Sequence, residues 1–113
     1  MRPLAVWLVA GLFLAACGVR PEQAILDQFF AASRLRDLTA LKQFSTIVYE
    51  PLERGIVTDF EITKVEGEGD VKNVTAAVKV KRPDGQIVDR TLILILQRDA
   101  KDARWRITGL IER

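Results

Sequence analysis

The side chains able to do chemistry are few. The chain of 113 residues has no histidine, one cysteine (Cys17) and one tyrosine (Tyr49). No nucleophile elbow, phosphate-cradling glycine loop or zinc-ligand spacing is present. Proton abstraction beside a carbonyl needs a carboxylate base and a phenol or protonated acid to hold the enolate oxygen. Tyr49, with Glu50 and Glu53 beside it and Asp59 following, offers those types. Nothing in their spacing sets them on one cavity wall, so no catalytic residue is assigned and Tyr49 reads first as a packing or surface residue. Glu61 and Asp89 read as strand carboxylates on a solvated face.

Glu66, Glu68 and Asp70 form the one dense acidic cluster, "EGEGD", which falls short of a calcium-caging loop. It reads as a solvated turn, and neither metal nor cofactor is expected. Lys79, Lys81, Arg98, Lys101, Arg104 and Arg106 are interleaved with Asp84, Asp99 and Asp102. A basic groove with stacking aromatics is missing from that pattern, so nucleic acid is not an expected partner. The overall surplus of two positive charges says little about partners.

The elements that must position these groups follow from hydrophobic period. "PEQAILDQFFAASRLRD" opens on Pro21 at a favoured first-turn position with Glu22 at the positive helix end. Ile25, Leu26, Phe29, Phe30 and Ala32 then recur at three- and four-residue spacing, which predicts a helix. Asp37 can cap a second helix, "LTALKQFS", with Leu38, Leu41 and Phe44 on one side. "TIVYEPLERGIV" is interrupted by Pro51 and Gly55 and predicts a short helical turn or an irregular link. From Asp59 the period falls to two. "DFEITKVE" predicts a strand with Phe60 and Ile62 in phase and Val65 out of phase, which points to a bulge. "VKNVTAAVKVK", "QIVDRTLILILQ" and "RWRITGLIE" complete four strands.

Loop length fixes hairpin register. A three-residue Pro83-Asp84-Gly85 turn sets Val80 opposite Val88, Lys79 opposite Asp89 and Ala76 opposite Leu92. A four-residue loop at Asp99 to Asp102 would set Leu96 opposite Trp105, Leu94 opposite Ile107 and Leu92 opposite Gly109. Both registers turn the same face inward. The expected fold class is therefore α+β, with N-terminal helices on one face of a bent antiparallel meander of about four strands. Arg90 falls on the inward face, opposite Val78 and Ile111, where a cation must meet a carboxylate or line a polar cavity. Ile93, Ile95 and Leu110 cluster on the other face, more apolar surface than an isolated monomer favours. That face is the expected homodimer or partner contact.

Cys17 closes an uncharged run, "PLAVWLVAGLFLAA", preceded by Arg2. A positive start followed by an apolar stretch shorter than a comfortable membrane span reads as a secretory signal. Leu14 stands where ordinary cleavage wants a small residue. Leu14-Ala15-Ala16-Cys17 resembles instead the lipobox of bacterial lipoproteins, matching all four positions. That resemblance implies a diacylglyceryl group on the Cys17 sulfur, cleavage just before it and an acylated new amino terminus. The rival readings are a lone buried thiol and a degenerate ordinary cleavage site. Residues 1–16 are thus expected to be a signal peptide, 17–20 a short tether and 21–113 one domain of roughly 100 residues. Two or three acyl chains anchor firmly where one does not. Gly18 replaces the aspartate that in such lipoproteins marks inner-membrane retention, so the resemblance implies the outer membrane, facing the periplasm, in an organism that has one.

The helix pair in "AILDQFFAASRLRDLTALKQFS", with Arg36-Asp37-Leu38 at its junction, precedes the sheet. The last strand begins at Trp105 and continues through Ile107, Gly109 and Ile111. Together they are similar to the nuclear transport factor 2-like superfamily, with the cystatin fold as nearest rival. The resemblance implies a cone-like sheet around helices with a cavity at its wide end. The superfamily holds isomerases, dehydratases, ligand binders and interaction domains, so it does not fix a function. The leading expectation is a membrane-anchored, non-catalytic binding module. The alternative is a cavity enzyme or small-ligand carrier using Arg90 with Tyr49 as donor.

Overall fold

A computed structural model describes residues 21–113. The predicted signal, Cys17 and the tether lie outside the described residues. Helix α1 (Pro21–Leu35) leads to two single-turn helices, α2 (Leu38–Leu41) and α3 (Pro51–Arg54). Four strands follow: β1 (Ile56–Glu66), β2 (Val71–Lys81), β3 (Ile87–Arg98) and β4 (Trp105–Glu112). They form one antiparallel sheet in the order β1-β2-β3-β4, so the fold is α+β, helices against an open four-stranded meander. Leu26, Phe29 and Phe30 of α1 are buried together with Val74, Ala76, Val78 and Val80 of β2 and Leu92, Leu94 and Leu96 of β3. The period-two face of the sheet and the three-to-four stripe of the helix thus close on each other and exclude water, the dominant stabilising term.

The second helix is shorter than its pattern suggests. Asp37 Oδ1 does accept the N–H of Ala40 as a cap at 3.1 Å. Helix α2 nevertheless ends at Leu41, and Leu38 is exposed while Leu41 is buried. The chain instead runs beside β4, where Thr46 N–H donates to the Ile107 carbonyl and Ile107 N–H to the Phe44 carbonyl, both at 2.9 Å. Two sheet-type bonds at this edge replace helical bonds that a short segment sustains poorly.

Strand β1 begins at Ile56, earlier than its pattern suggests, and carries two irregularities, between Val57 and Asp59 and between Ile62 and Lys64. The second is the bulge that Val65 implied, and it sets Val65 opposite Val74. The β2–β3 register matches expectation: Val80 pairs with Val88, Lys79 with Asp89, Val78 with Arg90 and Ala76 with Leu92. Gly85, at φ +91, supplies the left-handed position of that turn.

The β3–β4 register is a correction. Trp105 pairs with Arg98, Ile107 with Leu96, Gly109 with Ile95, Leu110 with Leu94 and Glu112 with Leu92. The loop closes one residue later than expected, with Asp99 N–H donating to the Arg104 carbonyl at 2.9 Å. Asp99 and Asp102 carboxylates accept the N–H groups of Lys101 and Arg104, which fixes the turn. The Arg106 guanidinium, then the Arg104 N–H, holds the Asp102 carboxyl below the usual carboxylate range. That two-residue shift in pairing keeps Trp105 and Ile107 on the helix side. A bulge between Ile95 and Leu96 then reverses the faces beyond it. Leu110 turns in to pack on the core, and Ile111, opposite Ile93, turns out.

At the start of α1, Glu22 is buried and Lys72 Nζ lies 2.6 Å from its Oε2. The same ammonium sits 4.0 Å from the Trp105 ring centroid. An ion pair shielded this way, with an aromatic face on one side, fixes where the helix meets the sheet.

Candidate functional site

Tyr49 reaches the interior because the chain from α2 to α3 passes under α1. Its N–H donates to the Ser33 hydroxyl at 3.0 Å. Its ring meets Phe30 edge-on, with centroids 6.2 Å apart. The residue is 2% exposed, and its hydroxyl has no hydrogen-bond partner among the described residues. Burial first, and then the Glu112 carboxylate, push the phenol above its ordinary value; Arg54 and Arg90 oppose them.

Arg90 belongs to the same neighbourhood. Its Nη1 donates to its neighbour's Asp89 carbonyl at 3.3 Å, and its Nε stands 4.0 Å from Glu112 Oε2. Arg54 bonds Glu112 Oε1 at 2.9 Å and sits 5.7 Å from the Tyr49 ring centroid. A pocket of about 180 Å³ opens here, lined by Glu53, Arg54, Arg82, Arg90 and Glu112 with Val80 and Val88 between the charges. Tyr49 lies behind it and is not a lining residue. The structure therefore brings Tyr49 and Arg90 close to one group of charges, while Glu50 is drawn away to Arg36 at 2.8 Å. Asp59 is exposed and lines a second groove, whose lining also includes Arg90 and Arg113.

Sequence reasoning missed Arg54, Arg82 and Glu112. Glu112 faces inward only because of the β4 bulge. Arg54 reaches Glu112 from α3, whose chain turns at Gly55 hard against the end of β2. The "PLERG" run was the available signal, since proline opens and glycine closes a single helical turn.

Of the other candidates, Asp70 is engaged by Arg98 at 2.7 Å and Glu66 by Lys64 at 3.3 Å. Among the described residues no group of three or more carboxylates or thiols could hold a metal ion. No described helix is long and apolar enough to cross a membrane. Ile93 and Ile95 are half-buried on the outer sheet face as expected; Ile111, 48% exposed, occupies the place expected for Leu110.

An unpartnered buried hydroxyl costs stability, by about 1 kcal/mol or more. Tyr49→Phe is expected to raise the unfolding free energy by about 1 kcal/mol, read from urea melts. The folded phenol ionises above the unfolded one. Its contribution is therefore constant below pH 10, roughly the unfolded value, and is lost as pH rises further. The stability gap between variant and parent should widen in that alkaline range. Because Tyr49 is the sole tyrosine, ultraviolet titration reads it alone; ionisation at the free-tyrosine value would contradict its burial.

No family model and no curated protein matches this chain.

Proposed function

We propose that the chain is a bacterial envelope lipoprotein, anchored through acylated Cys17, whose domain is a non-catalytic binding module that pairs with a second copy through the outer face of its sheet. The observation that carries the pairing is the arrangement of rows across that face. One row reads Glu61, Ala77, Thr91, Arg113, and the next charged row reads Asp59, Lys79, Asp89. Beside them lie Ile93, Ile95 and Ile111. Glu61, Asp59 and Arg113 make no ion pair among the described residues.

A two-fold axis along the strands between β2 and β3 would lay β4 of one copy over β1 of the other. Arg113 then faces Glu61 of the second copy, and the Lys79–Asp89 ion pair, closed at 3.1 Å within each copy, faces its own symmetry mate. Isologous contacts require this self-complementarity, and face-to-face sheets pack about 10 Å apart. Light scattering on the full chain in detergent should give a dimer, and Ile95→Asp a monomer. Arg113→Glu should weaken the dimer and Arg113→Glu with Glu61→Arg should restore it. A parent that is monomeric at micromolar concentration would overturn the pairing.

The anchor is tested separately. Cys17→Ser is expected to abolish incorporation of a labelled fatty acid and to leave unprocessed precursor. Retained label would place the attachment elsewhere. The reading also holds that the domain works at the periplasmic side of a membrane, the outer one in an organism with two. The orphaned Tyr49 hydroxyl and the charged pocket beside it favour a second reading, a small-ligand carrier using Arg90.

A further inference from the structure

We propose that the pocket between α3 and the β2–β3 hairpin binds a small oxyanion, a carboxylate or phosphate group, held by Arg82 and Arg90, with Glu112 as the built-in competitor for its cations. This deepens the carrier reading of Arg90 by naming the ligand class; it needs neither the lipid anchor nor the dimer. Three guanidinium groups and two carboxylates share a space of about 180 Å³. Two of those groups, Arg54 and Glu112, are already bonded to each other at 2.9 Å. Arg82 makes no ion pair among the described residues, and Arg90 has only a backbone carbonyl at 3.3 Å and Glu112 at 4.0 Å. Each guanidinium carries five N–H donors in a planar fork, and most of these are unused here.

Such forks match the paired oxygens of carboxylate and phosphate, and a second cation on the other side of the anion adds Coulomb attraction. Val80, itself buried, and Val88 lie between the charged groups. Two contacts frame the site. Gly55 brings α3 against the backbone of Lys81 and Arg82, and Arg54 rests over the Tyr49 ring. Glu112 at the rim neutralises part of the charge, so that an incoming anion must share Arg90 with it.

Calorimetric titration of the full chain in detergent with inorganic phosphate and, separately, with succinate tests this. Saturable binding of at least one probe is expected, weakening as salt rises. Arg82→Ala and Arg90→Ala should each lower affinity about tenfold or more, whereas Glu112→Gln should raise it several-fold by removing the competing carboxylate. Lys101→Ala, in the exposed β3–β4 turn, should leave it unchanged. Phosphate alone binding would mark the pocket as a phosphate site, succinate alone as a carboxylate site. No saturable binding at millimolar probe, or binding indifferent to Arg82 and Glu112, would overturn the proposal. A dimer that persists in Arg82→Ala keeps this result separate from the sheet-face pairing.

Discussion

Leu94→Asp is expected to remove much of the domain's stability. Leu94 is fully buried at the centre of β3, paired with Val74 on one side and Leu110 on the other. An aspartate there would set a carboxylate among Leu26, Phe29 and the sheet interior with no cation facing it. Leaving a charge uncompensated in such a place costs about 4 kcal/mol or more, a large share of the 5–15 kcal/mol or so that holds a small domain together. Circular dichroism and urea melts on the full chain would read the loss. The informative control is one residue away. Ile95 points to the other face, so Ile95→Asp should change stability by only about 1 kcal/mol, while abolishing the proposed dimer. If the two substitutions cost the same, the face assignment is wrong.

Gly55→Ala should be the second large effect, at about 3 kcal/mol. Gly55 sits at φ +99 and ψ −165, a region open in practice to glycine alone. A Cβ there would run into the Lys81 carbonyl oxygen and approach the Arg82 Cα to 3.0 Å. Both contacts are backbone, one at the last residue of a central strand and one at the turn residue after it, and neither can yield cheaply. Arg54→Ala, the adjacent residue, breaks a partly exposed ion pair with Glu112 and should cost under about 1 kcal/mol. A shift in urea midpoint for Gly55→Ala no larger than that of Arg54→Ala would show that α3 can detach from the hairpin end without consequence.

Much of the architecture was legible in the chain because it rests on local rules. The three-to-four stripe of α1, the alternation of β2 and the Pro83-Asp84-Gly85 turn each act within a few residues, and their registers agree with expectation from Val80–Val88 to Ala76–Leu92. The out-of-phase Val65 announced a bulge for the same reason. Leu38 misled, because its spacing fits a helix whose bonds the chain exchanges for pairing with Ile107. The candidate pocket was half legible. Arg90 stood out as a cation on an apolar face, and Tyr49 as the lone phenol, but their meeting depends on partners distant in sequence.

The sequence by itself determined the period of each element, the inward face of β2 and β3, the lipobox resemblance at Cys17 and the scarcity of catalytic side chains. The tertiary structure alone decided which of Leu110 and Ile111 faces the core, and with it that Glu112 turns inward to meet Arg54 and Arg90. The physical reason is parity: strand faces alternate residue by residue, so one extra residue in β4 inverts all that follows. The bulge brings Leu110 beside Leu94 and onto the core, a contact no local pattern encodes.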